Sequence, residues 1–562
     1  MRILRYLWIF GFIAAASLQA EAKYPEPDWT EGVPVPLDGR GNIYQIPGDK
    51  LDDVTMRGKR HALNYPVTVT GLLLPYQGLK QFLESPQDNP LRALLKNLFG
   101  ATSGFRSVDD LESWLGLYSY PDTIEQNIDS VESIPLPVSG NIHGRMGSSL
   151  VENGGTIGLT YSCGACHVGN LFGTKVIGMP TRFPRANVSF KLGKLAARSV
   201  PSDLVASILG SDKEERQQLK RLRTNIAATD GRYPLVLGLD TSLAHTALSL
   251  SRRNKDEYAA KSRLREVFPR RDWLRSNPSD SKPGTWWLVK YKNRWLSDGS
   301  IVSGNPIFTN FLWNEIGRGT DLGELEVWLE ENADLVQELT AAVFQNKAPR
   351  YTDFFPAEDI DLKSAKRGEQ IFKGNCAGCH GTYEKAWSLA EFQSDSLKDL
   401  LKTTKVSYHS QTPVIDVGTD PLRYQGMASL EQLNDLKISQ SFGTVVKKQK
   451  GYVPQPLVGI WARWPYFHNN SAPSLCAVLT RAEDRPKTYQ PVEAHDRDRD
   501  FDKDCNGYPL DQNRPRDRDS FFDTSIPGLG NQGHDEGIFL DNGKERLSPA
   551  DKKDLIMFLK TL

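Results

Sequence analysis

Two stretches of this sequence have residue types and spacing suited to one kind of chemistry: Cys163-Gly-Ala-Cys166-His167 and Cys376-Ala-Gly-Cys379-His380. In C-x-x-C-H the two thiols form thioether bonds to the vinyl groups of a porphyrin and the adjacent histidine supplies an axial nitrogen, so the macrocycle sets both order and spacing. A single copy in a reducing compartment would equally suit a redox or zinc motif. Two copies behind an export signal lead to the expectation of two covalently bound haem c groups, with His167 and His380 as proximal ligands.

A second strong axial ligand makes a haem an electron carrier, whereas an open position lets it bind peroxide or dioxygen. The pool of second ligands is small. For the haem at His380 the candidates are His409, Met427, His468, His495 and His534. His534 is preferred because glycines around it, in Ile-Pro-Gly-Leu-Gly-Asn-Gln-Gly533-His534, permit close backbone approach to a porphyrin. For the haem at His167 the candidates are Met146, Met179, His61, His143 and His245. Met179 is near enough in sequence to return to the same iron, but a methionine in such a loop is more often packing. An open or water-occupied distal side is expected there, which makes His167 the catalytic centre.

The elements around the motifs differ. The first is preceded by the glycine-rich, partly β-branched run Asn153 to Tyr161, so a loop or strand should deliver it. The second follows an amphipathic segment, Asp361 to Phe372, with Gly368 eight residues before Cys376. The chain closes on Leu547-Ser548-Pro549 to Leu562, where Ser548 suits an N-cap, Pro549 the first helical position, and Leu555, Phe558, Leu559 and Leu562 share a face. A glycine on one helix lets the other cross closely, as in a small cytochrome c. Helices are also expected at Leu91 to Phe99, at 190–226, at 241–266 and from Leu322 to Phe344. The aromatic stretch Pro349 to Pro356 reads as a linker.

The expected fold class is therefore mainly α: two cytochrome c-like haem domains with long irregular loops and few short strands. The first would span 23–348 and the second 357–562. Residues 1–22, with Arg2 and Arg5 before an apolar run and Ala20-Glu21-Ala22, read as a signal peptide, which places the chain in the periplasm or outside the cell. No later segment is apolar enough to span a membrane. At 562 residues with 39% hydrophobic and 25% charged residues and zero net charge, no overall field draws the chain to nucleic acid. Cys476 and Cys505 are left as an even remainder, either a disulfide or two buried thiols.

At this point a family is recognisable. The chain resembles the bacterial dihaem cytochrome c peroxidase superfamily, and within it the rubber oxygenase branch. The likeness is carried by the two spaced motifs, by Trp286-Trp287-Leu-Val-Lys-Tyr-Lys-Asn with Asp298-Gly299, by Val417-Gly-Thr-Asp-Pro421, and by Leu457 to Ser471 with Asp523-Thr-Ser and Gly533-His534 downstream. It implies a first haem that reacts with dioxygen at His167 without a protein ligand opposite, and a second held by His380 and His534. It also implies that Pro465-Tyr466-Phe467-His468 lies near the second haem, with His468 either a ligand or bonding to backbone or propionate, and Tyr466 a remote alternative ligand. The tryptophans Trp286, Trp287 and Trp295 would carry electrons, line an apolar pocket or simply pack the core.

The chain departs from that pattern in the charged insertion Arg481 to Asp519. There Asp502-Lys-Asp504-Cys-Asn506-Gly507 has the alternating oxygens of a calcium loop but Asn513 where the last acidic ligand should stand, so calcium competes with a solvated, disulfide-pinned loop. The expected function is an exported dihaem oxidoreductase acting on peroxide, or on dioxygen and an organic substrate, with a small redox protein or another reductant as partner. The alternative is a non-catalytic electron carrier with both irons six-coordinate.

Overall fold

The structure, a computed structural model, describes residues 23–120, 144–271, 273–278, 280–510 and 515–562. The leader read at 1–22, His143 and Asn513 lie outside them. Helix makes up 43% and strand 12%, so the fold is mixed rather than mainly α. The strands are short hairpin pieces, and the largest set of them delivers the first motif.

Strands Ser148–Asn153 and Thr156–Tyr161 pair antiparallel, Leu150 opposite Leu159, with Leu74–Pro75 added beside the second. The tight reversal uses Gly154 and Gly155, both at positive φ, a conformation glycine takes without strain. The chain then enters Cys163 and the one-turn helix Gly164–His167, and leaves through a second hairpin, Val168–Leu171 with Thr174–Ile177. The first motif is thus clamped between two hairpins.

The second motif sits on helices. Leu362–Asn375 starts at Asp361, whose side chain caps Lys363, and Pro549–Leu559 starts at Ser548 in a reciprocal capping box with Asp551. The two helices cross at Gly368, where an added Cβ would run into the carbonyl oxygen of Asp554 and lie 2.9 Å from the Phe558 Cβ. Phe372, one turn on, meets Phe558 at 5.3 Å and Tyr383 at 5.7 Å between ring centres. Cys376 ends this helix and Ala377–His380 follows.

Several expected helices are broken. The 190–226 segment is three helices, Ala186–Ser199, Ser202–Leu209 and Lys213–Ala227, interrupted at Pro201 and at Gly210 in the left-handed region. Leu322 to Phe344 is Leu322–Glu331 and Ala333–Gln345, parted at Asn332. Pro90–Ser103 forms but buries none of its residues, and Leu91, Leu94 and Leu98 stay exposed.

Two main cores flank the motifs. One holds Leu63, Val168, Trp286, Phe311 and Phe344, together with Met427, Leu430 and Val446 from beyond the second motif. The other holds Trp287, Phe372, Trp461, Phe501 and Phe558. Tyr351, Phe354 and Phe355, from the stretch read as a linker, are packed in this second core against Trp461. The 3-10 helix Trp286–Tyr291 passes from one core to the other, placing its adjacent tryptophans on opposite sides. Among the described residues no helix is long and apolar enough to cross a membrane.

Candidate functional site

His380 is oriented by the main chain. Its Nδ1 lies 2.8 Å from the carbonyl oxygen of Gln455, and a carbonyl only accepts, so the neutral ring donates there and keeps its Nε2 lone pair for a metal. Pro454 and Pro456 flank Gln455 and restrict the backbone that presents this oxygen.

His534 reaches the same place by a strained path. Its φ is +57°, and it follows Gly533, also at positive φ, where a Cβ would run into the Val417–Gly418 main chain. The His534 N–H donates to the Val417 oxygen at 2.8 Å, and Arg485 donates to the Gly533 oxygen at 2.7 Å, holding the turn. The rings of His380 and His534 end with centres 6.3 Å apart. Two imidazoles bonded to opposite faces of one metal at about 2 Å each would have ring centres about 6 Å apart. Burial lowers the pKa of His380 to about 4 and that of His534 to about 3, so both rings are neutral at physiological pH, the form that can ligate.

The first motif has a different setting. The His167 ring lies 5.5 Å from Trp286, tilted by 39°. Burial lowers its pKa to about 4, against the opposing pull of Asp240 and the Gly284 backbone. Burial also pushes the Cys163 thiol up to about 11, the Cys376 thiol up to about 12, and the Cys166 thiol upward. None of the four motif cysteines is in a disulfide, whereas Cys476 and Cys505 are joined in one with Cα atoms 4.9 Å apart.

One continuous cavity of about 640 Å³ is lined by Cys163, Cys166 and His167 at one end and by Cys376, Cys379, His380 and His534 at the other. Among the described residues its other histidines are His245 and His468, and no methionine lines it. Each end of the cleft thus brings a thiol pair and its adjacent histidine to the wall, the donor set of a covalently held porphyrin.

Most of the remaining described ligand candidates are engaged elsewhere. Met146 and Met427 are fully buried in the first core, and Met179 packs on Gly169 away from the cavity. His61 bonds Glu338 at 3.0 Å and His409 bonds the Cys379 oxygen at 3.0 Å. His495 lies 3.4 Å from the Asn170 amide. His245 does line the cavity, but its Nε2 is 3.0 Å from the Arg232 oxygen and its ring packs on Phe190. The Tyr466 hydroxyl is bonded to Asn506. His468 stacks on Tyr452 with ring centres 3.8 Å apart and keeps an unpartnered, buried Nε2.

In the candidate calcium loop Asp502 to Gly507, the described side chains bond within the protein. Asp502 Oδ1 accepts from the N–H groups of Asp504 and Cys505, and the Asn506 amide donates to Trp461 and Tyr466 in the core. Among the described residues no three His, Cys, Asp or Glu side chains converge as a metal site.

Sequence reasoning missed Gln455, whose contribution is a backbone oxygen with no side-chain signature. It also missed Asp240, the one carboxylate lining the cavity among the described residues, which accepts from Asn187 at 2.9 Å.

Residues 451–490 match a family model described as RoxA-like, cytochrome c-like. This marks a cytochrome c-like domain in the C-terminal part of the chain, which implies covalent haem c. The matched segment contains Gln455, Arg463 and His468. Two curated proteins of Sinorhizobium fredii (strain NBRC 101917 / NGR234) are also similar. Uncharacterized protein y4iJ is 29% identical, over 36% of this chain and 39% of its own length. Uncharacterized protein y4iM is 30% identical, over 36% of this chain and 49% of its own length. The chain thus spans less than half the length of either relative.

Proposed function

We propose that the chain is an exported dihaem c-type oxidoreductase in which the centre at His167 reacts with peroxide, or with dioxygen and an organic substrate, while the centre at His380 and His534 passes electrons. The observation that carries this reading is the inequality of the two ends of the cavity. His380 has a second imidazole across from it, whereas the described candidates for His167, namely His61, His245, Met146 and Met179, are bonded or packed elsewhere. Bound haem would supply iron that changes oxidation state and, where one axial position stays open, takes an oxygen ligand.

The protein's own residues divide the remaining work. Gln455 fixes the tautomer and orientation of His380, and the Gly533 turn fixes His534. Trp286 excludes water from one side of His167. Asn310 is exposed and also lines the cavity on the helix Pro306–Arg318, so this end reaches the surface. The periplasm or the cell exterior is the compartment this reading requires, and a small redox protein suits the electron-passing centre.

Haem content and peroxide- or dioxygen-dependent oxidation of a dye test the proposal together. Two haems per wild-type chain are expected. Cys163→Ala with Cys166→Ala should leave one haem and abolish the reaction. A single haem in the wild type, or full reaction in that double variant, would contradict it.

A further inference from the structure

The charge around the shared cavity is one-sided. Among the described residues its lining includes the cations Lys282, Lys292, Arg318, Arg423 and Arg463, against the single carboxylate Asp240. Two of these cations have acidic neighbours: Arg318 is 3.2 Å from Glu315, and Arg423 is 4.0 Å from Asp298. Lys282, Lys292 and Arg463 have none within ion-pair distance among the described residues.

Neutral oxygens hold these three in place. The Lys282 ammonium donates to the main-chain oxygens of Arg463 at 2.8 Å and Pro465 at 2.6 Å. Lys292 donates to Gln455 Oε1 at 3.0 Å, and Arg463 donates to the Pro456 oxygen at 2.8 Å. Carbonyl oxygens solvate a cation without neutralising it. Burial lowers the pKa of Lys282 and lowers that of Lys292 to about 7, and the charges that add to this are Arg463 and, for Lys282, Arg182. The Nε of Arg463 is buried without a hydrogen-bond partner, and so is the Nε2 of His468, which lies in the field of Arg423 and Lys282.

Buried like charges with unused donors aimed into one cavity need anions beside them. We infer that Lys282, Lys292 and Arg463 form the seat for the propionate carboxylates of the porphyrins, at the seam between the two motifs. The inference rests on the dihaem reading above. Its geometry joins the seat to the second centre through one residue: the Gln455 side chain holds Lys292 while its main-chain oxygen holds His380 Nδ1. Charge-assisted bonds from an arginine fork and two ammonium groups suit carboxylates whose position must be fixed. The seat would make the midpoint potential depend on these cations, because a nearby positive charge disfavours the ferric, more positive state of the iron.

The test is a spectroelectrochemical titration of the full chain after its haem content has been measured. Arg463→Gln and Lys292→Met should each shift the midpoint potential of the His380 centre downward, whereas Arg463→Lys and Lys292→Arg should stay near the wild type. Loss of haem from Arg463→Gln with retention in Arg463→Lys supports the same assignment. Unchanged potentials in haem-replete Arg463→Gln and Lys292→Met overturn the seat alone. A wild-type potential that moves on adding acetate or phosphate also overturns it, since the cations would then hold a free anion. Fewer than two haems in the wild type overturns the dihaem reading and the seat with it.

Discussion

The imidazole rings of His380 and His534 face each other with centres 6.3 Å apart and planes inclined by 54°. They are separated by most of the C-terminal part of the chain. They meet because Gln455 pins one ring and a left-handed turn at Gly533 and His534 pins the other. The positive φ of a non-glycine residue costs energy that the surrounding bonds from Val417 and Arg485 offset.

The crossing at Gly368 gives a stability prediction. Gly368→Ala places a methyl group against the Asp554 backbone and Phe558, so the two helices must part, at a cost of about 1–3 kcal/mol. Chemical denaturation should show this loss, with the visible spectrum of the His380 centre broadened and that of the His167 centre unchanged.

The same crossing gives a pH dependence. The Arg367 guanidinium, with help from Ser364, holds the Asp554 carboxyl below its ordinary value. A depressed carboxylate stabilises the fold above its unfolded pKa, about 3.9, and that contribution disappears as pH falls through the lower folded value. Asp554→Asn should therefore melt below the wild type at neutral pH, and the two melting curves should converge in acid.

The disulfide closes a loop with a sequence separation of 29, for which chain-entropy arguments give about 3.6 kcal/mol. Replacing both Cys476 and Cys505 by Ala should lower unfolding stability by that order in denaturant titrations.

Trp286 is the aromatic neighbour of His167 and belongs to the first core, while Trp287 belongs to the second. Trp286→Leu should alter the visible and magnetic resonance spectra of the His167 centre and leave the His380 centre as it is. Truncating a buried tryptophan should also cost about 2–4 kcal/mol of stability.

The two motifs were legible because covalent attachment requires its residues close together in sequence. Gly368, Ser548 and Pro549 were legible for a related reason: caps and close crossings use residue types with few other uses. The helix breaks at Pro201 and Gly210 were in plain view, but Leu and Ala periodicity on either side masked them. Hairpins were underestimated because their strands are too short to show alternation. Gln455, Asp240 and Lys282 acquire their roles only from tertiary placement, and although Lys292 and Arg463 lie in stretches that carry the family likeness, nothing there marks them as cavity cations.

The most direct test of two unequal centres is carbon monoxide binding to the fully reduced protein, followed spectroscopically in the wild type and in His534→Ala. The account predicts one molecule bound per wild-type chain, at the His167 centre, and a second in the variant. No binding in the wild type, or binding at the His380 centre while His534 is present, would contradict it.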